Sequence, residues 1–226
     1  MSLDGKVTGD FLLDPECQAA VDTYYAINRE LKCGGFICGR VTMEESFTGG
    51  WYPDLDKYDP IMPDTVPMDC LPDSEYMTGF YAIAFDPKGR LGWRSAFIED
   101  SDPGYDKAQI IEVLTEQADG RYLAYLKELG IPYIIAGKTE IDAELALIKL
   151  YAHIGVDHLL LEGGSVINGC FQRADLIDEL SLTVAPITGN ADSKPLFDGA
   201  AMQGYRLNGC RTYANGTVWL NYRRCK

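Results

Sequence analysis

The stretch from His158 to Asn168, His-Leu-Leu-Leu-Glu-Gly-Gly-Ser-Val-Ile-Asn, constrains the fold more than any other part of the chain. It reads as a short buried strand that stops at an acid, turns through Gly163-Gly164 and enters a helix. Residues 36–42 repeat the layout of strand, glycine and helix. A helix N-terminus leaves backbone N–H groups unpaired and carries partial positive charge. Paired glycines remove the side chains that keep a ligand off the backbone. Two such helix starts at the carboxyl edge of one sheet is the arrangement by which α/β folds bind dinucleotides. Taken alone, Gly163-Gly164 is explained as simply by a tight strand-to-helix turn with no ligand.

Helical and strand patterns alternate along most of the chain. Pro15 suits a first helical position, and Ala19, Ala20, Tyr24, Ile27 and Leu31 fall near one face, which predicts a helix over 15–32. Apolar runs at 33–38, 81–85, 109–114, 132–136 and 158–161 predict strands. Gly39-Arg40-Val41-Thr42 follows the first run, and Met43-Glu44-Glu45 reads as a helix start with acids in its first turn. Helices are expected over 120–129 and 142–154, the second with Ala143, Leu147 and Leu150 on one face. This alternation predicts an α/β fold with a largely parallel sheet. The end of the chain differs. Residues 180–185, 205–213 and 217–222 read as strands, and Asn215-Gly216 between the last two is a strong hairpin signal. The sheet is therefore expected to finish with antiparallel strands.

Between 49 and 79 the pattern breaks. Pro53, Pro60, Pro63, Pro67 and Pro72 alternate with Asp54, Asp56, Asp59, Asp64, Asp69 and Asp73. We expect a surface loop within a single domain over 1–226, not a linker between two domains.

Charge and cysteine usage narrow the function. With 20 Lys plus Arg against 34 Asp plus Glu, the net charge is -14, a field that repels nucleic acid and anionic membranes. No apolar run approaches the roughly 20 residues that cross a bilayer, and no signal peptide is visible at the start. Cys17, Cys33, Cys38, Cys70, Cys170, Cys210 and Cys225 form no C-x-x-C pair. Neither a zinc knuckle nor a thioredoxin-like site is indicated, and no metal is expected. Free thiols in a reducing cytoplasm are the simplest reading.

Other motifs carry less chemistry. Gly164 to Gly169 has the glycine spacing of a phosphate-binding Walker loop, but Cys170 stands where lysine is required. His153 and His158 flank a helix-to-strand turn and are too few for a triad or zinc site. Asp175, Asp178 and Glu179 suit a solvated helix end better than acid–base work. Asp4, beside Gly5, is either a turn residue or a substrate contact.

Four segments taken in order resemble one family. Ser2-Leu3-Asp4-Gly5-Lys6 is similar to its S-x-D-G-K opening, Gly39-Arg40-Val41-Thr42 to its G-R-x-T, and Leu160-Leu161-Glu162-Gly163-Gly164 to its L-x-E-G-G. Asp178-Glu179-Leu180 through Pro186 to Gly189 is similar to its D-E-L…P…G. The set resembles the reductase domain of bacterial riboflavin biosynthesis. The resemblance implies a dihydrofolate-reductase-like fold, a three-layer αβα arrangement, with NADPH as hydride donor and a homodimer. It implies hydride transfer to the ribosyl C1 imine of 5-amino-6-(5-phosphoribosylamino)uracil. It also implies a strand before Ser2 that is absent here.

By the same resemblance, Gly39, Arg40 and Thr42 lie on the adenosine and pyrophosphate side of the cofactor. Arg40 is then the partner of its 2′-phosphate, because guanidinium binds phosphate bidentately. Glu162, Gly163, Gly164, Ser165 and Val166 take the pyrophosphate and nicotinamide side, and Thr115 faces the adenine ribose. Ser2 and Asp4 form the catalytic pair at the substrate. The family usually continues from G-x-x-T into an acid, a proline and an arginine. Here Met43-Glu44-Glu45-Ser46-Phe47-Thr48 follows instead, and the acidic stretch after Gly49 offers no clear phosphate-binding arginine. The H-x-E and P-C-x-x-C signatures of the deaminase half found in bifunctional relatives have no counterpart. Two other readings stay open. One is reduction of a pteridine such as dihydrofolate, which calls for a buried acid on the first helix, where Asp22 is the candidate. The other is nucleotide binding without turnover.

Overall fold

The computed structural model describes residues 1–61, 69–71, 77 and 79–225. The readings at Pro63, Pro67, Pro72, Asp64 and Asp73 lie outside the described residues. The chain divides into two compact units, Cys33–Gly163 and the combination of Met1–Lys32 with Gly164–Lys226.

Five parallel strands organise Cys33–Gly163: β1 (Gly35–Gly39), β2 (Tyr81–Phe85), β3 (Gln109–Leu114), β4 (Tyr133–Ile135) and β5 (Leu160–Gly163), in the order β4-β3-β2-β1-β5. Every residue of β2, β3 and β4 is buried, which is why these segments read as near-continuous apolar runs and not as alternating ones. The helices start where the sequence offers a capping acid. Asp119 accepts from the Arg121 amide at the head of α3 (Gly120–Leu129), and Asp142 from the Leu145 amide at the head of α4 (Ala143–Ile154). Gly130 and Gly155 close these helices in the left-handed conformation. On α4 the fully buried residues are Ala146 and Leu150; Ala143 and Leu147 are half-buried. Tyr122, Tyr125 and Leu126 of α3 join Leu91, Trp93 and Ile98 in the core of this unit.

The acidic, proline-rich stretch is more than a surface loop. Leu55–Lys57 forms a 3-10 turn, and Leu55 and Tyr58 pack against the core. The Tyr52 ring stacks on Tyr122 at 6.1 Å, and the Ile61 amide donates to the Gly120 carbonyl at 3.0 Å. Farther on, Cys70 and Tyr133 exchange two backbone hydrogen bonds of 2.8 Å. Asp69 accepts from the Ile135 amide and from Lys149 Nζ, both at 2.9 Å. The apolar and aromatic residues set among the prolines anchor the segment to α3 and β4, and a count of prolines and acids does not register them.

In the second unit α1 (Pro15–Leu31) begins under an Asp14 cap, with the carboxylate accepting from the Glu16 amide, and ends at Lys32, φ 51°. It buries Cys17, Ala20 and Ile27. Asp22 is exposed and accepts only a 3.1 Å bond from the Gln18 amide group among its described contacts. The buried acid that a pteridine site calls for is therefore not at Asp22. Beyond α5 (Ser165–Arg173), strands β6 (Glu179–Val184), β7 (Tyr205–Thr212) and β8 (Val218–Arg224) pair antiparallel in the order β6-β8-β7. The hairpin lies where Asn215-Gly216 predicts it: the Asn215 side chain accepts from the Thr217 amide, and Gly216 sits at φ 81°. These strands form a sheet of their own, not the tail of the parallel one, because antiparallel neighbours joined by a short turn satisfy each other locally.

Candidate active site

The parallel sheet brings two of the motif segments to one edge. β1 ends at Gly39, β5 at Gly163, and Cys38 pairs with Gly163, so the glycines of G-R-x-T and L-x-E-G-G lie on adjacent strand ends. The pairing steps from Ile37↔Leu161 to Cys38↔Gly163. Glu162 is thus the extra residue of a β-bulge, a device that re-aims a side chain. Its carboxylate accepts from the Tyr105 hydroxyl at 2.7 Å. Tyr105 is fixed in turn by an edge-on contact with Phe36, ring centroids 5.0 Å apart.

The turn that follows needs its glycine. Gly163 has φ 110°, a conformation that side chains rarely adopt. Gly164 is extended, φ -76° and ψ -164°, and is the N-cap of α5 with no side chain to cap it. The hydroxyl of buried Ser165 donates instead to the Pro195 carbonyl, and Val166 is 62% exposed. The start of α5 thus has no side-chain oxygen from Gly164 or Ser165 on its amides, which fits a pyrophosphate in that place. The Walker-like spacing has a separate cause: a Cβ at Gly169 would overlap the Asp198 carbonyl.

On the neighbouring strand the helix begins at Arg40, not at Met43 as the acids suggested. Gly39 is its N-cap, α2 runs Arg40–Met43, and a π-helical turn over Glu44–Thr48 continues it. Glu44 is therefore one turn beyond Arg40, and Arg40 Nη1 pairs with Glu44 Oε2 at 2.6 Å. Thr42 is half-buried on the same short helix. The register Gly39↔Phe85 sets Arg40 and Asp86 at neighbouring positions just past the strand ends. Asp86 is buried and accepts from the Arg90 and Leu91 amides. Burial pushes its carboxyl up, against the pull of those amides and of the Arg40 charge.

Thr115 lies just past the end of β3. It is fully buried, its hydroxyl donates to the Pro87 carbonyl at 2.6 Å, and its Oγ1 accepts from the Gln117 amide at 3.3 Å. That hydroxyl spends its one donor on closing a turn.

In the other unit the first and last motifs meet. The Ser2 hydroxyl donates to Asp4 Oδ1 at 2.6 Å and accepts from the Lys6 amide at 2.9 Å. The Gly189 amide donates to the same Asp4 oxygen at 2.8 Å, and the Leu3 amide to the Ile187 carbonyl at 2.7 Å. The Ser2 hydroxyl, followed by the Gly189 amide, holds the Asp4 carboxyl below its usual range. Ionised and exposed, Asp4 is suited to accept hydrogen bonds, not to donate a proton. Ser2 is fully buried, and its hydroxyl holds Asp4. Asp175, before β6, pairs with Arg224, and Glu179, the first residue of β6, with Arg223. His158 pairs with Asp157 at the surface and His153 lies 3.5 Å from Asp69.

Residues 104–219, more than half of the chain, match the family model of the RibD C-terminal domain. The chain belongs to the RibD C-terminal domain family. Among curated relatives, the 2,5-diamino-6-ribosylamino-4(3H)-pyrimidinone 5′-phosphate reductase of Methanothermobacter thermautotrophicus is 31% identical over 116 residues, covering 49% of this chain and 53% of that protein. The enzyme of the same description from Aquifex aeolicus is 33% identical over 93 residues, 41% of each chain. The matched stretch spans about half the length of these curated relatives. A solved pyrimidine reductase-like protein from Corynebacterium diphtheriae superposes with a TM-score of 0.68 at 17% identity, covering 100% of this chain and 89% of that one. The fold is thus the dihydrofolate-reductase-like one expected from the sequence. No described helix is long and apolar enough to cross a membrane, and the described residues contain no His/Cys/Asp/Glu group fit to hold a metal ion.

Three polar side chains that make defined contacts in this RibD C-terminal domain carry no sequence signal that singles them out: Tyr105, Asp86 and Glu112. Glu112, on β3, is fully buried and accepts from the Tyr122 hydroxyl at 3.2 Å and from the Trp93 indole N–H. One oxygen each of Asp86 and Glu112 is buried with no partner.

Proposed function

We propose that this chain is an NADPH-dependent reductase of a ribosylaminopyrimidine 5′-phosphate, of the 5-amino-6-(5-phosphoribosylamino)uracil type, in riboflavin biosynthesis. The bulged Glu162-Gly163-Gly164 turn entering an uncapped α5, with Gly39 and Arg40 on the adjacent strand, carries this reading. The 2,5-diamino-6-ribosylaminopyrimidinone phosphate reductases among its relatives support the substrate class. Gly163, Gly164 and the first amides of α5, at Ser165 and Val166, receive the pyrophosphate. Arg40, with Gly39 and Thr42, receives the adenosine 2′-phosphate. When bound, a nicotinamide would supply the hydride that reduces the C1 imine of the ring-opened ribosyl group, C=N becoming CH–NH as the nitrogen takes a proton. Glu162, aimed by its bulge and held by Tyr105, orients the groups at the reacting end. Asp4, steadied by Ser2 and Gly189, accepts a hydrogen bond from the substrate. The pteridine reading loses its support with Asp22 exposed.

We also assign the chain a homodimeric state, a single-domain organisation over 1–226 and a cytoplasmic location. The family resemblance supports the first two. The seven free thiols support the last.

Titration with NADPH and NADH, followed by turnover with the pyrimidine substrate, tests the assignment. Substrate-dependent NADPH oxidation is expected; binding without oxidation would leave a nucleotide-binding protein. Two variants refine it. Arg40→Ala should weaken NADPH by about 10- to 100-fold, the strength of a lost charge-assisted contact, with NADH affinity little changed; equal losses would remove Arg40 from the 2′-phosphate. Asp4→Asn keeps an acceptor for Ser2 and Gly189, so the fold should stand while turnover drops about a hundredfold. Normal turnover in that variant would reduce Asp4 to a turn residue.

A further inference from the structure

The guanidinium that the proposed function offers to the 2′-phosphate is already engaged. Arg40 and Glu44 are one helical turn apart, their charged ends 2.6 Å apart, and both side chains are about one-third exposed, at 31% and 34%. Asp86 stands one position past the end of β2, in register with the residue after the end of β1, and its carboxyl feels the Arg40 charge. A phosphate approaching Arg40 therefore meets a cation already paired with a carboxylate. A ribose that carries a free 2′-hydroxyl meets something different. A carboxylate accepts hydrogen bonds from a ribose diol, and this is how dinucleotide folds select the unphosphorylated cofactor. The two alternatives for adenosine recognition, arginine for the phosphate and an acid for the hydroxyl, are paired on a single turn of helix.

Resting on the reductase reading, we propose that Glu44 is a specificity-determining residue that holds back the preference for NADPH, so that the site accepts NADH as well. The π-helical turn over Glu44–Thr48 fixes the acid in this role, because it continues α2 without a break and keeps Glu44 on the Arg40 face. Asp86 does not take this part: it is buried and its carboxylate is turned into the Arg90 and Leu91 amides. Glu44 is half-buried and able to exchange Arg40 for a ligand hydroxyl.

The test is binding, without turnover. Dissociation constants for NADPH and NADH are measured by calorimetry on the parent chain, on Glu44→Gln and on Glu44→Ala, at low and at moderate salt. Removing the acid charge should raise the ratio of NADPH to NADH affinity by about tenfold, the scale of one partly screened carboxylate beside a phosphate. The gain should shrink as salt rises. The rise should come from tighter NADPH in both variants, with NADH weakened where the diol contact is lost. If the parent binds both cofactors and the ratio is unmoved in both variants, Glu44 has no part in selection and the reductase reading survives alone. If no variant binds either cofactor, the reductase reading falls and takes the role of Glu44 with it.

Discussion

Glu112→Gln should unfold at a higher temperature than the parent at pH 8, with the advantage shrinking toward pH 5. Glu112 is fully buried on β3 between the Trp93 indole and the Tyr122 hydroxyl, with a second oxygen unpartnered. Burial, followed by the nearby Asp86 charge, pushes its carboxyl well above the ordinary value of 4.5. The folded state therefore keeps a proton that the unfolded chain gives up. The stability tied to that proton is whole below about pH 4.5, where both states hold it. It is lost progressively as the pH rises from there through the folded-state value. The Asp86 carboxyl, also raised by burial, contributes in the same direction. An amide at position 112 has nearly the same shape, still accepts from Trp93 and Tyr122, and has no proton to lose. Thermal melts across pH 5–8 decide the matter; parallel curves for parent and variant would mean that Glu112 is ionised in the fold. Glu112→Ala serves as the contrast. It leaves the Trp93 N–H without its acceptor and should cost about 3 kcal/mol at pH 5, or roughly 6–12 °C in melting temperature, and less at pH 8, where the parent has lost the stability tied to its proton.

Gly164→Asp should separate folding from binding by moving them in opposite directions. The backbone at Gly164 is extended, φ -76° and ψ -164°, a conformation open to any residue. Aspartate is among the best N-cap residues, so the start of α5 should gain about 0.5–1 kcal/mol from the cap and the helix dipole. The same carboxylate would lie where a pyrophosphate is proposed to sit. Repulsion and loss of the open amides should cost about 3 kcal/mol, or about a hundredfold in cofactor affinity. A variant that melts no lower than the parent and fails to bind NADPH would support the site. One that binds normally would move the pyrophosphate away from α5.

Much of the fold is legible in the sequence because local signals and burial agree. Residues 81–85, 109–114 and 120–129 are read to the residue, since central parallel strands are uniformly apolar and Asp119 and Gly130 punctuate α3. Asn215-Gly216 gives the hairpin for the same reason. The shift at the L-x-E-G-G strand is physical: pairing with β1 extends β5 through Glu162 to Gly163, which no local signal encodes. Arg40 is missed as a helix start because Gly39 offers no capping side chain. At the site, the motif glycines are legible from type and spacing alone. Tyr105 lies far from Glu162 in sequence, and its role follows from tertiary packing. Glu112 sits in an apolar run that gives no hint whether its carboxyl is exposed or buried. Thr115 shows the reverse case, a polar residue at the right strand end whose hydroxyl is taken up by the turn behind it.

The pairing of Cys70 with Tyr133 bears on how the protein behaves in concentrated solution. β4 ends the order of the parallel sheet, and a bare terminal strand offers a row of unpaired amides and carbonyls on which a second chain can build. Here the Tyr133 amide and carbonyl are both occupied by Cys70, and the Ile135 amide by the Asp69 carboxylate. The strand is capped by its own chain, and the acid that caps it is itself held by Lys149. The backbone groups of Tyr133 and Ile135 are thereby withheld from strand addition at this edge.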